Sequence, residues 1–321
     1  MPGGGTCTFF EPDHYEASLR RAQVELVTVP RGEFKARLTR ADLHHLQVLR
    51  CEENAPRAGY LHLTQRLSFV TFSPHSGPLP VWRGTELETD DIMFHGCGER
   101  LHQSVPGSFV WNVIAVDPAR LEYYGRALSG RPFSSPPEGR ILQPSRRHTA
   151  RLRRLHAQIC RLAETKSKIL SHSEVARAME QALIEALIPC LTTASARTEG
   201  YANRHHARIM IRFEEVLAEH LSRRLSIAEL CELIVVSDRT LRLCCAQFLG
   251  MSPTQYVLLR RFTEVRRMLR DADPDRVSVA EIARRFGFTE LGRFAERYRA
   301  TFGETPLTTL QRTPAMRLAA S

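Results

Sequence analysis

Arg293 and Arg297 stand one helical turn apart in the stretch VSVAEIARRFGFTELGRFAERYRATFGETP, Val277 to Pro306, with Glu290 just ahead of them. A second set, Arg239 and Arg242 beside Leu243, lies in SIAELCELIVVSDRTLRLCCAQFLGMSP, Ser226 to Pro253. The chemistry open to these side chains is recognition by paired donors and acceptors. A guanidinium can donate two parallel hydrogen bonds to O6 and N7 of a guanine edge, a carboxylate can accept from a cytosine amine, and a leucine can only touch a thymine methyl. The other uses of such arginines are a phosphate contact or a surface ion pair, and phosphate contacts are at least as numerous as base contacts.

Both stretches also supply the elements that would hold those side chains outward. Ser278 followed by Glu281 is a capping-box pair at the start of one helix, whose inner face is Ile282, Ala283 and Phe286. Gly287 lets the backbone leave with positive φ, Phe288 fills the gap, and Thr289 is placed to cap a second helix that turns Leu291, Phe294, Ala295 and Tyr298 inward. Upstream, Ser226 with Glu229 opens a helix with Ala228, Leu230 and Leu233 inside; Ser237 caps the next, where Leu241, Cys244, Cys245 and Phe248 face in. Gly250 ends that helix and Ser252-Pro253 begin a long one, carrying Tyr256, Leu259, Phe262, Val265 and Leu269, that joins the two units. One such unit alone would equally fit a helical hairpin in an all-α core. Two of them about fifty residues apart would set two helices into successive major grooves of a DNA duplex, roughly one turn apart. The residues placed to contact DNA are Ser237, Arg239, Thr240, Arg242 and Leu243 in the first unit and Thr289, Glu290, Arg293 and Arg297 in the second.

The motifs are Leu-x-Glu-Leu then Val-Ser-x-Arg-Thr-Leu, Gly-Met-Ser-Pro-x-x-Tyr, Glu-Ile-Ala-x-x-Phe-Gly-Phe and Phe-x-x-x-Tyr-x-x-x-Phe-Gly-x-x-Pro. From near Arg208 to Arg312 the chain thereby resembles the AraC/XylS family of bacterial transcription regulators. That resemblance implies a double helix-turn-helix domain, activation through contact with RNA polymerase, and an N-terminal domain that senses a ligand or holds a dimer. Leu243 stands where the family usually carries a basic residue, and Cys245 where it carries phenylalanine. The first departure removes a guanine reader and shifts that task to Arg239 and Arg242. The second removes core volume, at a cost of a few kcal/mol unless neighbours fill the space.

Composition is consistent with a polyanionic partner. The 321 residues suffice for two domains, and the net charge is +10 with a pI near 9.5. Residues 205–314 hold 18 arginines and no lysine against 14 acids, so this half is only mildly basic, whereas residues 120–170 hold 12 cations against 3 acids. The latter excess is read as a solvated face, an interface rim or a second DNA-facing surface. Eight cysteines show no C-x-x-C pair and no zinc spacing. With no long apolar run and no signal-like N-terminus, the expectation is a cytoplasmic, nucleoid-associated protein, without membrane contact and without cofactor.

The first half is built differently. Short β-rich runs (VELVTV, FKARLTRADL, LQVLRCE, GYLHLTQ, LSFVTFS, DDIMFHG, SFVWNVIAV) are broken by Pro, Gly, Asn and Asp, which suggests an antiparallel sandwich or barrel. The family resemblance, loose here and resting on Arg31 to Leu38 and the strand pattern, implies a cupin-like barrel. The predicted fold class is therefore α+β multidomain, an N-terminal antiparallel cupin-like β-barrel with following helices and a C-terminal all-α domain with two helix-turn-helix units. Phe69, Phe72, Trp82, Phe94, His95, His102 and Trp111 are the candidates to line a pocket for a small effector, the alternative being an aromatic core. His44, His45, His62, His75, His95 and His102 lack the His-x-His and Glu spacing of a metal site, and neither Cys51 nor Cys97 has the Pro-Cys-His-like context of a reactive thiol; no enzyme activity is expected.

Between the halves, Leu152, Leu155, Ile159 and Leu162 form one helical stripe and Val175, Met179, Leu183 and Leu187 another. They either pair with their twins in a homodimer or pack back on their own barrel. The expected layout is a sensor or dimerisation domain over residues 10–145, a helical dimerisation or hinge segment over 146–191, a flexible linker over 192–205 and the DNA-binding domain over 206–314. The predicted function is that of a sequence-specific regulator of transcription, an activator, that binds double-stranded promoter DNA and responds to a small-molecule effector bound in the N-terminal domain. The alternative is a ligand-independent repressor or activator whose barrel is only a scaffold.

Overall fold

The computed structural model describes residues 2–19, 22–28, 34–74, 78–198, 200–220 and 225–311. Residues 31–33 of the segment opening at Arg31, together with His75 and the end of the DNA-binding domain from Arg312, lie outside the described residues. The N-terminal part runs β1 (Gly3–Phe9), α1 (Pro12–Ser18), β2 (Ala22–Thr28), β3 (Ala36–Asp42), β4 (Leu46–Glu53), β5 (Arg57–Leu63), β6 (Ser68–Phe72), β7 (Val81–Trp82), β8 (Thr85–Glu86), β9 (Ile92–Phe94), β10 (Arg100–Val105) and β11 (Phe109–Val116). There follow α2 (Pro118–Ser129), β12 (Arg140–Gln143), α3 (Arg146–Thr165), α4 (Ser167–Leu170), α5 (Ser173–Thr192) and β13 (Ser195–Ala196). The C-terminal part is helical: α6 (Tyr201–Glu219), α7 (Ile227–Ile234), α8 (Asp238–Leu249), α9 (Pro253–Asp271), α10 (Val279–Arg285), α11 (Leu291–Phe302) and α12 (Pro306–Gln311).

The strands make two antiparallel sheets, one of eight strands in the order β1-β3-β4-β11-β6-β9-β12-β13 and one of five, β2-β5-β10-β7-β8. The expected barrel is thus an open two-layer sandwich, because neither sheet closes on itself. Central strands of the large sheet are buried on both faces, which is why they read as continuous apolar runs. Along β6, Phe69 and Thr71 point between the sheets while Val70 and Phe72 point the other way. The strands that escaped the sequence pattern are β1, with its Gly-Gly-Gly start, β10, which reads Arg-Leu-His-Gln-Ser-Val, and the short β7, β8, β12 and β13.

The outward face of the large sheet is covered by α3 and α5. Leu152, Ile159, Leu183 and Leu187 pack there with Val48, Val70, Phe72 and Ile114. Glu180 on α5 accepts from His45 N at 2.6 Å and Leu46 N at 3.2 Å, and Arg153 on α3 donates to Ser73 O at 3.0 Å. The two stripes therefore pack on their own sandwich. The stretch expected to be a loose linker is tied down as well: Ser195 and Ala196 pair with β12, and Arg197 meets Asp91 at 2.6 Å.

The five-stranded sheet separates two cores. Its inner face gives Leu26, Leu61, Trp82 and Leu101 to the sandwich core, while Val27 and Ala58 on its outer face join Met210, Phe213, Leu241, Cys245 and Phe248 of the first helical unit. The second unit has its own core around Phe262, Phe294 and Tyr298.

Candidate nucleic-acid interface

The first unit is set by its caps. Ser226 Oγ accepts from Glu229 N at 3.2 Å while Glu229 Oε2 accepts from Ser226 N at 2.8 Å, a complete capping box on α7. Ser237 Oγ accepts from Thr240 N at 3.1 Å and starts α8. Such a cap contributes about 1 kcal/mol. The turn between them is made by Val235, left-handed at φ 63° and 87% exposed, where the second unit uses Gly287 at φ 71°. Leu241, Cys244, Cys245 and Phe248 are buried, so Arg239, Arg242 and Leu243 are left on the open side. Arg242 leans on Asp238 at 2.9 Å, and Leu243 is 55% exposed. Cys245 is fully buried among the apolar side chains of this core.

In the second unit Ser278 Oγ accepts from Glu281 N at 3.2 Å to start α10. Phe288 stacks on Phe262 with centroids 5.1 Å apart, under the guanidinium of Arg261, whose Nε donates to Phe286 O at 2.9 Å. The next helix begins at Leu291 with Glu290 as N-cap residue and no side-chain cap. The capping role expected of Thr289 is thus corrected: Thr289 sits one position too early and is exposed. Arg293 meets Glu290 at 3.0 Å, both largely exposed, and Arg297 is exposed beside them. An exposed pair of this kind contributes little, so both groups can be exchanged for base edges. Glu290, Arg293 and Arg297 share a cleft of about 570 Å³ with Glu229, Thr254 and Arg261, while Arg239 and Arg242 lie outside it.

Other arginines of this half are engaged elsewhere, which sequence reasoning missed. On α9, Arg260 binds Glu25 and Glu214, Arg266 meets Glu11 at 2.8 Å and Glu304 at 3.1 Å, Arg267 meets Glu16 at 3.1 Å, and Arg270 meets Asp13 at 2.9 Å. Glu11, Asp13, Glu16 and Glu25 come from α1, its N-cap and β2, so these cations tie the helical half to the sandwich. Only spacing along α9, Arg-Arg then Arg-Arg then Arg, hinted at a charged seam.

Between the sheets lies a cavity of about 50 Å³ lined by Phe69, Trp82, His95 and Trp111, four of the seven residues expected to line an effector pocket. Three expectations are corrected. Phe72 alternates to the helix-covered face and meets His156. Phe94 also faces outward and stacks on Phe133. His102 turns away from the cavity and pairs with Glu214 of α6 at 2.8 Å. The period-two alternation of each strand decides all three. The polar lining, Arg40, Gln47, Thr71 and Gln103, was not foreseen; the same alternation, applied with correct strand positions, would have placed Thr71 with Phe69. His95 Nε2 bonds Thr71 Oγ1 at 2.8 Å, Trp111 Nε1 donates to Glu53 at 3.0 Å, and Trp82 Nε1 is buried with no hydrogen-bond partner among the described residues. No group of three or more His, Cys, Asp or Glu able to hold a metal occurs among the described residues.

Similarity to known proteins concentrates in the C-terminal part. A family model described as a helix-turn-helix domain matches residues 230–312. The XylDLEGF operon transcriptional activator of Pseudomonas putida is 38% identical over 100 residues, 31% of this chain and 31% of its own length. The XylDLEGF operon transcriptional activator 2 of the same organism is 37% identical over 99 residues, 31% of this chain and 63% of its own. The probable thc operon regulatory protein of Rhodococcus erythropolis is 35% identical over 100 residues, 31% of this chain and 30% of its own. The chain therefore spans about a third of the length of the first of these relatives. Among solved structures, the AraC-like transcriptional activator CuxR is 13% identical, covering 81% of this chain and 94% of its own, with a TM-score of 0.40. The likeness is thus one of the C-terminal part, which carries a helix-turn-helix domain similar to that of these transcriptional activators.

Proposed function

We propose that the chain is a sequence-specific transcription regulator that reads a promoter-proximal site of roughly 15 to 20 base pairs through α8 and α11. The observation that carries this is the pair of helices bearing exposed arginines, Arg239 with Arg242 and Arg293 with Arg297, mounted at the two ends of the single rigid helix α9. Relatives bear the name of transcriptional activator, which supports activation, through contact with RNA polymerase, in the cytoplasm beside the nucleoid. Residues 206–314 are the DNA-binding domain in this reading, and residues 10–145 the sensor. A homodimer would use a surface other than the stripes of α3 and α5, which are already spent on residues 46–116.

For the sensor, Trp82 Nε1 and the Arg40, Gln47, Thr71, His95 and Gln103 side chains offer polar anchors among apolar walls, the mix common to small-molecule sites. The second reading, a scaffold without effector, is favoured by size: about 50 Å³ holds a few waters, so an effector must part the sheets to enter.

The DNA reading is tested by selecting duplexes from a randomised pool with the full chain, then measuring Arg293→Ala. The specific complex is expected to weaken by about 1 to 3 kcal/mol with non-specific binding unchanged. Equal loss on both DNAs makes Arg293 a phosphate contact, and failure to select any duplex refutes the reading. Melting of the full chain against a metabolite panel separates sensor from scaffold, since a ligand of the folded state raises Tm by mass action.

A further inference from the structure

The tip of the β7–β8 hairpin, Arg83-Gly84, is seated on the end of the first recognition helix. Gly84 O accepts from Gln247 Nε2 at 3.0 Å, and Arg83 O accepts from Asn203 Nδ2 at 2.9 Å. Gln247 Nε2 also donates to Asn203 Oδ1 at 2.9 Å, so the tip, α6 and α8 share one hydrogen-bonded knot. Gly84 adopts φ +76°, and a Cβ there would lie 2.5 Å from Phe248 Cε2. Only glycine permits both that conformation and that approach. Gln247 and Phe248 belong to α8, about one and a half to two and a half turns beyond Arg242 and Arg239.

The tip is anchored on its other side as firmly. Trp82, directly before it, is fully buried in the cavity wall, and Arg83 N donates to His102 O at 3.0 Å. By contrast, among the described residues the side-chain hydrogen bonds and ion pairs of α11 to neighbouring elements run to Glu290 and Thr309, and its Phe302 lies under Arg266, which pairs with Glu304 and with Glu11 far from the tip.

We propose that the Arg83-Gly84 tip is a positioning element for α8, so that this tip governs reading of the first half-site and not of the second. The pair touches no DNA; it fixes the angle at which α8 presents Arg239 and Arg242. The seat is also one residue from the cavity, so whatever displaces Trp82 displaces the tip. This rests on the DNA-reading proposal above, and its test keeps the two apart.

The full chain first selects a duplex from a random pool; a chain that selects none overturns the DNA reading and this inference with it. The half-site whose scrambling abolishes the effect of Arg239→Ala is assigned to α8. Gly84→Val is then expected to weaken binding to the intact site about tenfold, and to cause no further loss on the duplex with the α8 half-site scrambled. Where Gly84→Val impairs folding, the double variant Asn203→Ala with Gln247→Ala removes the knot without adding bulk and is expected to show the same half-site pattern. Unchanged affinity, or a loss of equal size with either half-site scrambled, overturns the inference, since a merely structural role would weaken both alike.

Discussion

His102 Nε2 lies 2.8 Å from Glu214 Oε1, with both side chains 1% exposed, and this contact bridges β10 of the sandwich to α6 of the helical C-terminal part. Glu214 also accepts from Tyr256 at 2.6 Å and binds Arg260, which reaches on to Glu25. The two halves thus meet through a buried, fully occupied carboxylate as well as through more exposed pairs such as Arg100 with Glu215, and breaking one partner of the buried set would strand a charge.

The joint has a pH signature. Burial, reinforced by the Arg260 guanidinium, pushes the His102 imidazole from its usual 6.5 down to about 3, so it donates to Glu214 as a neutral ring. Between those values the unfolded chain takes up a proton that the folded chain refuses, so the stability is intact above 6.5 and falls as pH drops. The expected loss from this one group is about 2 kcal/mol between pH 7 and pH 5. His102→Gln keeps a donor and cannot titrate. Denaturant unfolding at both pH values should show the variant losing less than the wild type by that amount, and equal losses would contradict the assignment.

Val235 adopts φ 63° with its side chain 87% exposed. A β-branched residue in that region carries strain of about 1 to 2 kcal/mol, which exposed side-chain packing does not offset. Val235→Asn, which tolerates the conformation, should raise stability by about 1 kcal/mol. A lower melting temperature would show that Val235 makes a contact that matters more than its strain.

Cys245 stands where the family resemblance implies phenylalanine, yet it is fully buried in a closed core. Restoring the ring by Cys245→Phe overpacks that core and should destabilise by about 1 to 3 kcal/mol. Calorimetry showing a gain would mean that the neighbours leave an unfilled gap.

Much of the C-terminal half was legible in the sequence because its signals are local: Ser226 with Glu229, Ser237, Ser252 and Ser278 each cap a helix from within four residues. Thr289 misled because Thr and Glu are adjacent and the helix starts one residue later than the side chain suggests. In the N-terminal half Phe72, Phe94 and His102 misled for another reason. An aromatic in a doubly covered strand carries no mark of which layer it faces, and only the alternation counted from the strand's true position decides. The salt bridges from α9 to Glu11, Asp13, Glu16 and Glu25 and the seat of Gly84 join residues more than a hundred positions apart, which no local pattern reveals.

The measurement that bears most directly on two-helix reading is base-resolution protection of a selected duplex by the full chain, repeated with the double variants Arg239→Ala/Arg242→Ala and Arg293→Ala/Arg297→Ala. Two protected major-groove patches about ten base pairs apart are expected, one lost with each variant while the other persists. A single patch, or simultaneous loss of both with either variant, would contradict it.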